Sequence, residues 1–152
     1  MTSVAERLAE LGLTVPTAPK PVAAYVPAVR TGSYVYTSGQ LPLRDGQLLA
    51  TGKVGAEVDP ESAYDLARQA GLNAIAAVAS LVDLDDVVQV VKAVVFVAST
   101  PDFTGQPAVA NGASELFGAA FGEAGQHARS AVGVPVLPLD APVEVELVVE
   151  VR

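Results

Sequence analysis

Apolar and polar positions change period several times along this chain, and each change marks an expected element. Near the start, "SVAERLAELG" places Val4, Leu8 and Leu11 at helical spacing, and Gly12 closes the run as a short amphipathic helix. "TVPTAPKPVAAYVPAVRTG" then loses periodicity and carries Pro16, Pro19, Pro21 and Pro27, so it reads as an extended connector. "SYVYTSGQLPL" reads as a strand running into a turn. "RDGQ" holds the Asp-Gly signal of a tight hairpin, and "QLLATGKVG" reads as a continuation of the sheet that bends at its glycines.

The strongest helical pattern is "DPESAYDLARQAGLNAIAAVASLV". Asp59 is the expected N-cap, Pro60 suits the first helical position, and Ala63, Leu66, Ala67, Ala70, Ala74, Ala77, Val78 and Leu81 form an apolar stripe. So many alanines predict close packing on a sheet. "DLDDVVQVVKAVVFVAS" begins as a turn and becomes a strand, alternating at first and then continuously apolar. A second long helix is expected over about Pro107 to Phe121, with Val109, Ala113, Leu116, Phe117 and Ala120 on one side. Two strands close the chain, at about Ala128 to Val136 and Val143 to Val151, joined by "LPLDAP".

The order after the first helix is strand, strand, helix, strand, helix, strand, strand. This predicts an α+β fold: a mixed sheet with two helices packed on one face, plus the short N-terminal helix. The opposite face carries many valines, so burial against other copies of the chain is expected. Residues 1–152 read as a single domain, with 1–24 as an N-terminal helix and proline-rich arm.

Composition narrows the function. The chain is 51% hydrophobic, which fits a folded globular protein. Its net charge of −8, from 17 acidic and 9 basic residues, lacks the basic footprint of a nucleic-acid binder. With no cysteine, disulfides, thiolate catalysis and cysteine metal sites are excluded. The start shows no secretory signal, and the apolar run "AGLNAIAAVASLV" is too short to span a bilayer, so a cytoplasmic protein away from membranes is expected.

Few residues remain to carry chemistry. Arg129 stands where a loop turns into a strand, and its fork can hold a carboxylate by two charge-assisted bonds; the alternative is a structural ion pair or a solvent-facing arginine. Glu144 shares strand parity with Glu146 and Glu150, while Val143, Val145 and Val149 face the other way. Glu144 is a candidate to orient a water or relay a proton; the alternative is a strand face that meets water or a subunit boundary. In "YTSGQLP", Ser38 offers a hydroxyl and Gly39 permits close backbone approach. No nucleophile elbow, phosphate-binding loop or dinucleotide fingerprint is present. His127 is the only histidine, which gives no typical zinc cluster, and it is expected on the loop leading into Arg129. Tyr25 and Asn111 say little individually.

Three stretches nonetheless resemble one family in the right order. "YVYTSGQLPL", "DLDDVVQVVKAVVFVASTPDF" and "ARSAVGVPVLPLDAPVEVELV" are similar to the motifs of the RidA (YjgF-type) enamine/imine deaminase superfamily, over roughly Tyr25 to Val151. The resemblance implies a chorismate-mutase-like fold assembled as a homotrimer, with clefts between subunits. It implies hydrolytic deamination of small reactive enamines and imines such as 2-aminoacrylate to 2-keto acids and ammonia, with no cofactor and no metal. A non-catalytic protein that binds small carboxylates such as 2-keto acids in the same cleft is the alternative.

By the resemblance, Arg129 matches the arginine that holds the substrate carboxylate, and Glu144 the acidic residue that handles water or a proton. Ser38 and Gly39 match the "TSGQ" motif. Tyr25 and Asn111 match residues expected to line the neighbouring subunit's side of the cleft. Some features depart from the family pattern. They are "AAY" before the first strands, Ala131 two positions after the arginine, "GVPV" beyond it, a longer "TGQPAVANGAS" and the extra N-terminal arm. They point to a longer, divergent subgroup.

Overall fold

The last strand shows how this sequence makes a sheet. In "VEVELVVEV" (β7, Val143–Val151), Val143, Val145, Leu147, Val149 and Val151 are buried, and Glu144, Glu146, Val148 and Glu150 lie half-buried on the opposite face. Period-two alternation fits one face to a core and leaves the other for a different neighbour. Around β7 the computed structural model builds a five-stranded sheet in the order β1 (Ala28–Thr31), β2 (Tyr34–Thr37), β7, β5 (Val87–Ala98), β6 (Ala128–Val134). It describes residues 2–21 and 23–152; Met1 and Val22, both in the predicted arm, lie outside the described residues.

β1 (Ala28–Thr31) and β2 (Tyr34–Thr37) form an antiparallel hairpin, and β2 pairs antiparallel with β7. β5 (Val87–Ala98) pairs antiparallel with β7 and parallel with β6 (Ala128–Val134). The parallel pair requires a crossover, which the helix α3 (Gln106–Phe121) supplies. α3 and α2 (Pro60–Ala79) cover one face, as expected. Asp59 caps α2 by accepting the Ser62 backbone N–H at 2.7 Å, with Pro60 in the first turn. The two helices meet closely: a Cβ on Gly112 would stand 2.0 Å from the Tyr64 carbonyl oxygen, so only glycine fits there.

The first helix, α1 (Val4–Glu10), is closed by a capping box in which Ser3 Oγ accepts the Glu6 N–H and Glu6 accepts the Ser3 N–H. Val4 and Leu8 enter the main core, and the Val4 N–H donates to Asp85 Oδ1 at 2.9 Å. The arm then joins the domain, because Leu13 and Val15 pack against the same core. A departure appears in α2, where burial is continuous from Gln69 to Val78 rather than confined to the predicted stripe. The helix is enclosed by the sheet and by α3, and its buried Gln69 and Asn73 donate to the carbonyls of Leu41 and Leu43.

Other differences have local causes. β1 lay hidden in the predicted connector, because only Ala28 of its four residues is buried and an edge strand shows no alternation. "QLLATGKVG" meets the main sheet only at Val54, whose N–H donates to the Ala98 carbonyl at 2.8 Å and whose carbonyl accepts the Thr100 N–H at 3.1 Å. Gln47–Leu48 (β4) pairs with Leu43–Arg44 (β3) as a separate two-stranded ribbon, and its turn is the predicted Asp-Gly, with Asp45 and Gly46 both at positive φ. The ribbon is tied to α2 instead, where the buried Asn73 amide donates to the Leu41 and Leu43 carbonyls. Leu11 and Leu81 fall just past their helices and are 41% and 46% exposed. β6 ends at Val134, two residues early.

Candidate active site

Strand register divides the predicted residues into two groups. Arg129 pairs with Ala93, whose side chain is buried under the helices, so Arg129 faces α3. There its Nη1 donates to Asn111 Oδ1 at 2.8 Å and to Ser114 Oγ at 3.2 Å. Asn111 and Ser114 stand three residues apart on α3, one turn of the same helix face. Ser114 Oγ also meets His127 Nε2 at 2.8 Å, and His127 Nδ1 meets the Gly125 carbonyl at 2.6 Å. His127 therefore sits on the loop before Arg129, as expected, and takes part in its hydrogen-bond network.

Glu144 lies on the other face. It pairs with Phe96 and points away from the helices, on the face that also carries Glu146, Val148 and Tyr36. Burial raises its pKa above the usual carboxylate range, and the neighbouring Glu146 charge raises it further. Gly39 touches it from the adjoining loop: a Cβ there would come within 2.7 Å of the Glu144 carboxyl carbon and of Oε2. The loop is held in line with β7 by two backbone bonds between Gln40 and Val145, at 2.8 and 2.9 Å.

Ser38 is engaged differently. Its hydroxyl donates to the Val26 carbonyl at 2.6 Å, and its N–H donates to the Pro27 carbonyl at 2.8 Å. It anchors the segment next to Tyr25, which is 53% exposed. Thus the fold brings Gly39 to Glu144, Asn111 to Arg129, and Ser38 to the Tyr25 segment. It does not bring Arg129 and Glu144 together within one chain, because the sheet lies between their side chains. The expectation that Asn111 lines the neighbour's side is corrected: it bonds Arg129 of its own chain, because α3 runs directly over β6.

Ser114 was not singled out from the sequence. Its signal was available, at one helical turn from Asn111, but it becomes meaningful only once α3 is placed over β6. A cleft of about 880 Å³ lies elsewhere, between the arm, the β3–β4 ribbon and α2, and includes none of the predicted site residues. Within one chain Glu144 stands on an open sheet face that also exposes Tyr34, Tyr36 and Val132, at 41%, 48% and 43%. Among the described residues no group of three or more His, Asp or Glu is arranged to hold a metal ion, and no helix is long and apolar enough to cross a membrane.

Comparison with known proteins adds a second kind of observation. The model of the family described as endoribonuclease L-PSP matches residues 15–151. Protein TCP17 of Trypanosoma cruzi is 45% identical over 98% of this chain and 94% of its own. A 2-iminobutanoate/2-iminopropanoate deaminase of Dermatophagoides farinae is 35% identical over 92% of this chain and 95% of its own. A crystal structure of a protein of unknown function from Agrobacterium tumefaciens superposes with a TM-score of 0.91 at 44% identity, covering 98% of this chain and 92% of that one.

Proposed function

This chain belongs to the endoribonuclease L-PSP family, the RidA (YjgF-type) superfamily, and from that premise we propose that it hydrolyses small reactive enamines and imines to 2-keto acids and ammonia. The observation that carries the proposal is the presence of two prepared groups, one on each face of the sheet. One is an arginine held by Asn111 and Ser114, and the other is a half-buried carboxylate pressed against Gly39. The first suits a substrate carboxylate and the second suits a water.

The chemistry needs no more than positioning and proton transfer. A 2-aminoacrylate-like enamine takes a proton on its terminal carbon and becomes the imine. Water then adds to the imine carbon and loses a proton to Glu144. The nitrogen takes that proton back from Glu144, the carbinolamine hydroxyl releases its own, which balances the proton first added to carbon, and the C–N bond breaks as the keto C=O forms and ammonia leaves. The raised pKa of Glu144 brings it closer to the range in which a carboxylate both accepts and returns a proton. Arg129 would hold the substrate carboxylate and fix the carbon relative to the water.

Because Arg129 and Glu144 face opposite sides of one sheet, a single chain does not close a site around both. The proposal therefore includes a chorismate-mutase-like homotrimer in which the open face of one copy meets a neighbour and the cleft forms between them. The exposed Tyr34, Tyr36 and Val132 support that cover, because a solvent-facing apolar sheet favours association. Tyr25 would line the entrance. A role in RNA cleavage is less well supported, because 9 basic residues against 17 acidic ones leave no basic stripe.

The test is keto-acid release from freshly generated 2-aminoacrylate. The purified protein should accelerate it, Glu144→Gln should slow it sharply, and equal rates for wild type and Arg129→Ala would defeat the proposal. Binding of 2-ketobutyrate without turnover would instead identify a carboxylate-binding protein. Light scattering should return the mass of three chains, and a monomer would remove the intersubunit cleft.

A further inference from the structure

We infer that Ser114 and His127 are positioning residues that orient the Arg129 guanidinium for its carboxylate; this rests on the reading of Arg129 proposed above. The inference follows from donor and acceptor accounting. A carbonyl oxygen only accepts, so the 2.6 Å contact to the Gly125 carbonyl places a hydrogen on His127 Nδ1. In the neutral ring Nε2 then carries the lone pair, and Ser114 Oγ, 2.8 Å away, donates its hydrogen there. With that hydrogen committed, Ser114 Oγ is free to accept, and it takes one Nη1 hydrogen of Arg129 at 3.2 Å. The second Nη1 hydrogen goes to Asn111 Oδ1 at 2.8 Å.

Nη1 is thereby fully used. Nε and Nη2 make no hydrogen bond to the described residues, so one edge of the fork, with two parallel N–H groups, is left for a carboxylate. The far end of the relay is rigid. Gly125 is packed so closely on α3 that a Cβ would stand 2.2 Å from the Phe117 carbonyl oxygen. The Phe117 ring meets the imidazole edge-on, with centroids 5.6 Å apart and planes at 77°. The relay therefore runs from the packed end of α3, through one imidazole and one hydroxyl, to the arginine. Without it, Arg129 keeps only Asn111, an exposed residue, and regains rotamer freedom that substrate binding must remove.

The test separates binding from chemistry, in the intact protein, with 2-aminoacrylate turnover and 2-ketobutyrate affinity as readouts. Ser114→Ala and His127→Leu should each raise KM and the 2-ketobutyrate Kd by roughly ten-fold while kcat changes by about three-fold or less. Ser114→Thr, which keeps the hydroxyl, and His127→Gln, which keeps an acceptor near Nε2, should recover most of the affinity. Because the two act in series, the double variant Ser114→Ala/His127→Leu should bind no worse than the weaker single variant. Nitrogen NMR of the wild-type protein should show the His127 hydrogen on Nδ1, a readout that needs no variant to fold.

Loss of affinity in Arg129→Ala alongside wild-type affinity in Ser114→Ala and His127→Leu would overturn the relay alone. So would a hydrogen found on Nε2, or full additivity in the double variant. Unchanged affinity in Arg129→Ala would overturn the relay and the carboxylate reading together.

Discussion

Gly39→Ala isolates the contact that shapes the acidic side of the site. The glycine does not occupy the left-handed region, so alanine brings no backbone strain and its effect is steric. The new Cβ would lie 2.7 Å from the Glu144 carboxyl carbon and from Oε2, and ordinary contact begins near 3.4 Å, so the carboxylate must retreat by about 0.7 Å. Displacements approaching 1 Å in a catalytic group cost up to about a hundred-fold, so kcat/KM should fall by roughly 10- to 100-fold, or about 1.4–2.7 kcal/mol of transition-state stabilisation. Stability should hardly move, because the displaced atoms end a flexible, half-buried side chain; the melting temperature should stay within about 4 °C of wild type. The assay is keto-acid release from 2-aminoacrylate, run on Gly39→Ala, Glu144→Gln and the double variant. If alanine acts through Glu144, the double variant is no slower than Glu144→Gln. Near-normal activity in Gly39→Ala, or a further loss on top of Glu144→Gln, would refute the reasoning.

Three further outcomes follow from packing and charge. Gly112→Ala pushes a Cβ to within 2.0 Å of a backbone carbonyl that cannot rotate away, so it should destabilise by about 1–3 kcal/mol or more in urea unfolding. Leu8→Ala empties a fully buried position of the arm and should cost about 2–5 kcal/mol; a loss below about 0.5 kcal/mol would show that α1 is an appendage rather than core. Glu144 holds its proton more tightly when folded than when unfolded. Its contribution to stability is therefore greatest below the ordinary value of 4.5 and declines as pH rises through the folded pKa. Glu146→Gln removes the like charge. It should move the acidic limb of the kcat/KM profile to lower pH and lessen that decline, while a residual elevation from burial remains; an unmoved limb would show that Glu146 does not act on Glu144.

Much of the fold was legible because the signals are local. Asp59 and Pro60 announce α2 through the geometry of a helix start, and Asp45-Gly46 announces its turn through positive φ. The alternation in β7 announces which residues face the core. β1 was not legible, because an edge strand with one buried residue carries no alternation. Nor was the enclosure of α2, because the segment from Leu41 to Leu43 that bonds its Gln69 and Asn73 lies about thirty positions away in sequence. The candidate site was proposed from the sequence as a set of residue types, through three motifs in order. Its grouping was not, because nearness in sequence says nothing of which helix lies over which strand.

The sequence by itself determined the helices, the buried face of β7, and the scarcity of groups able to do chemistry in an acidic, cysteine-free chain. Those properties depend on side-chain period and on composition, which need no long-range contact. Only the tertiary structure decided that Asn111, Ser114 and His127 gather around Arg129, and that Gly39 presses on Glu144 from the adjoining loop. The physical reason is register. The pairing of Arg129 with Ala93 and of Glu144 with Phe96 sends one side chain under the helices and the other to the open face. A one-residue slip in either strand would reverse that choice.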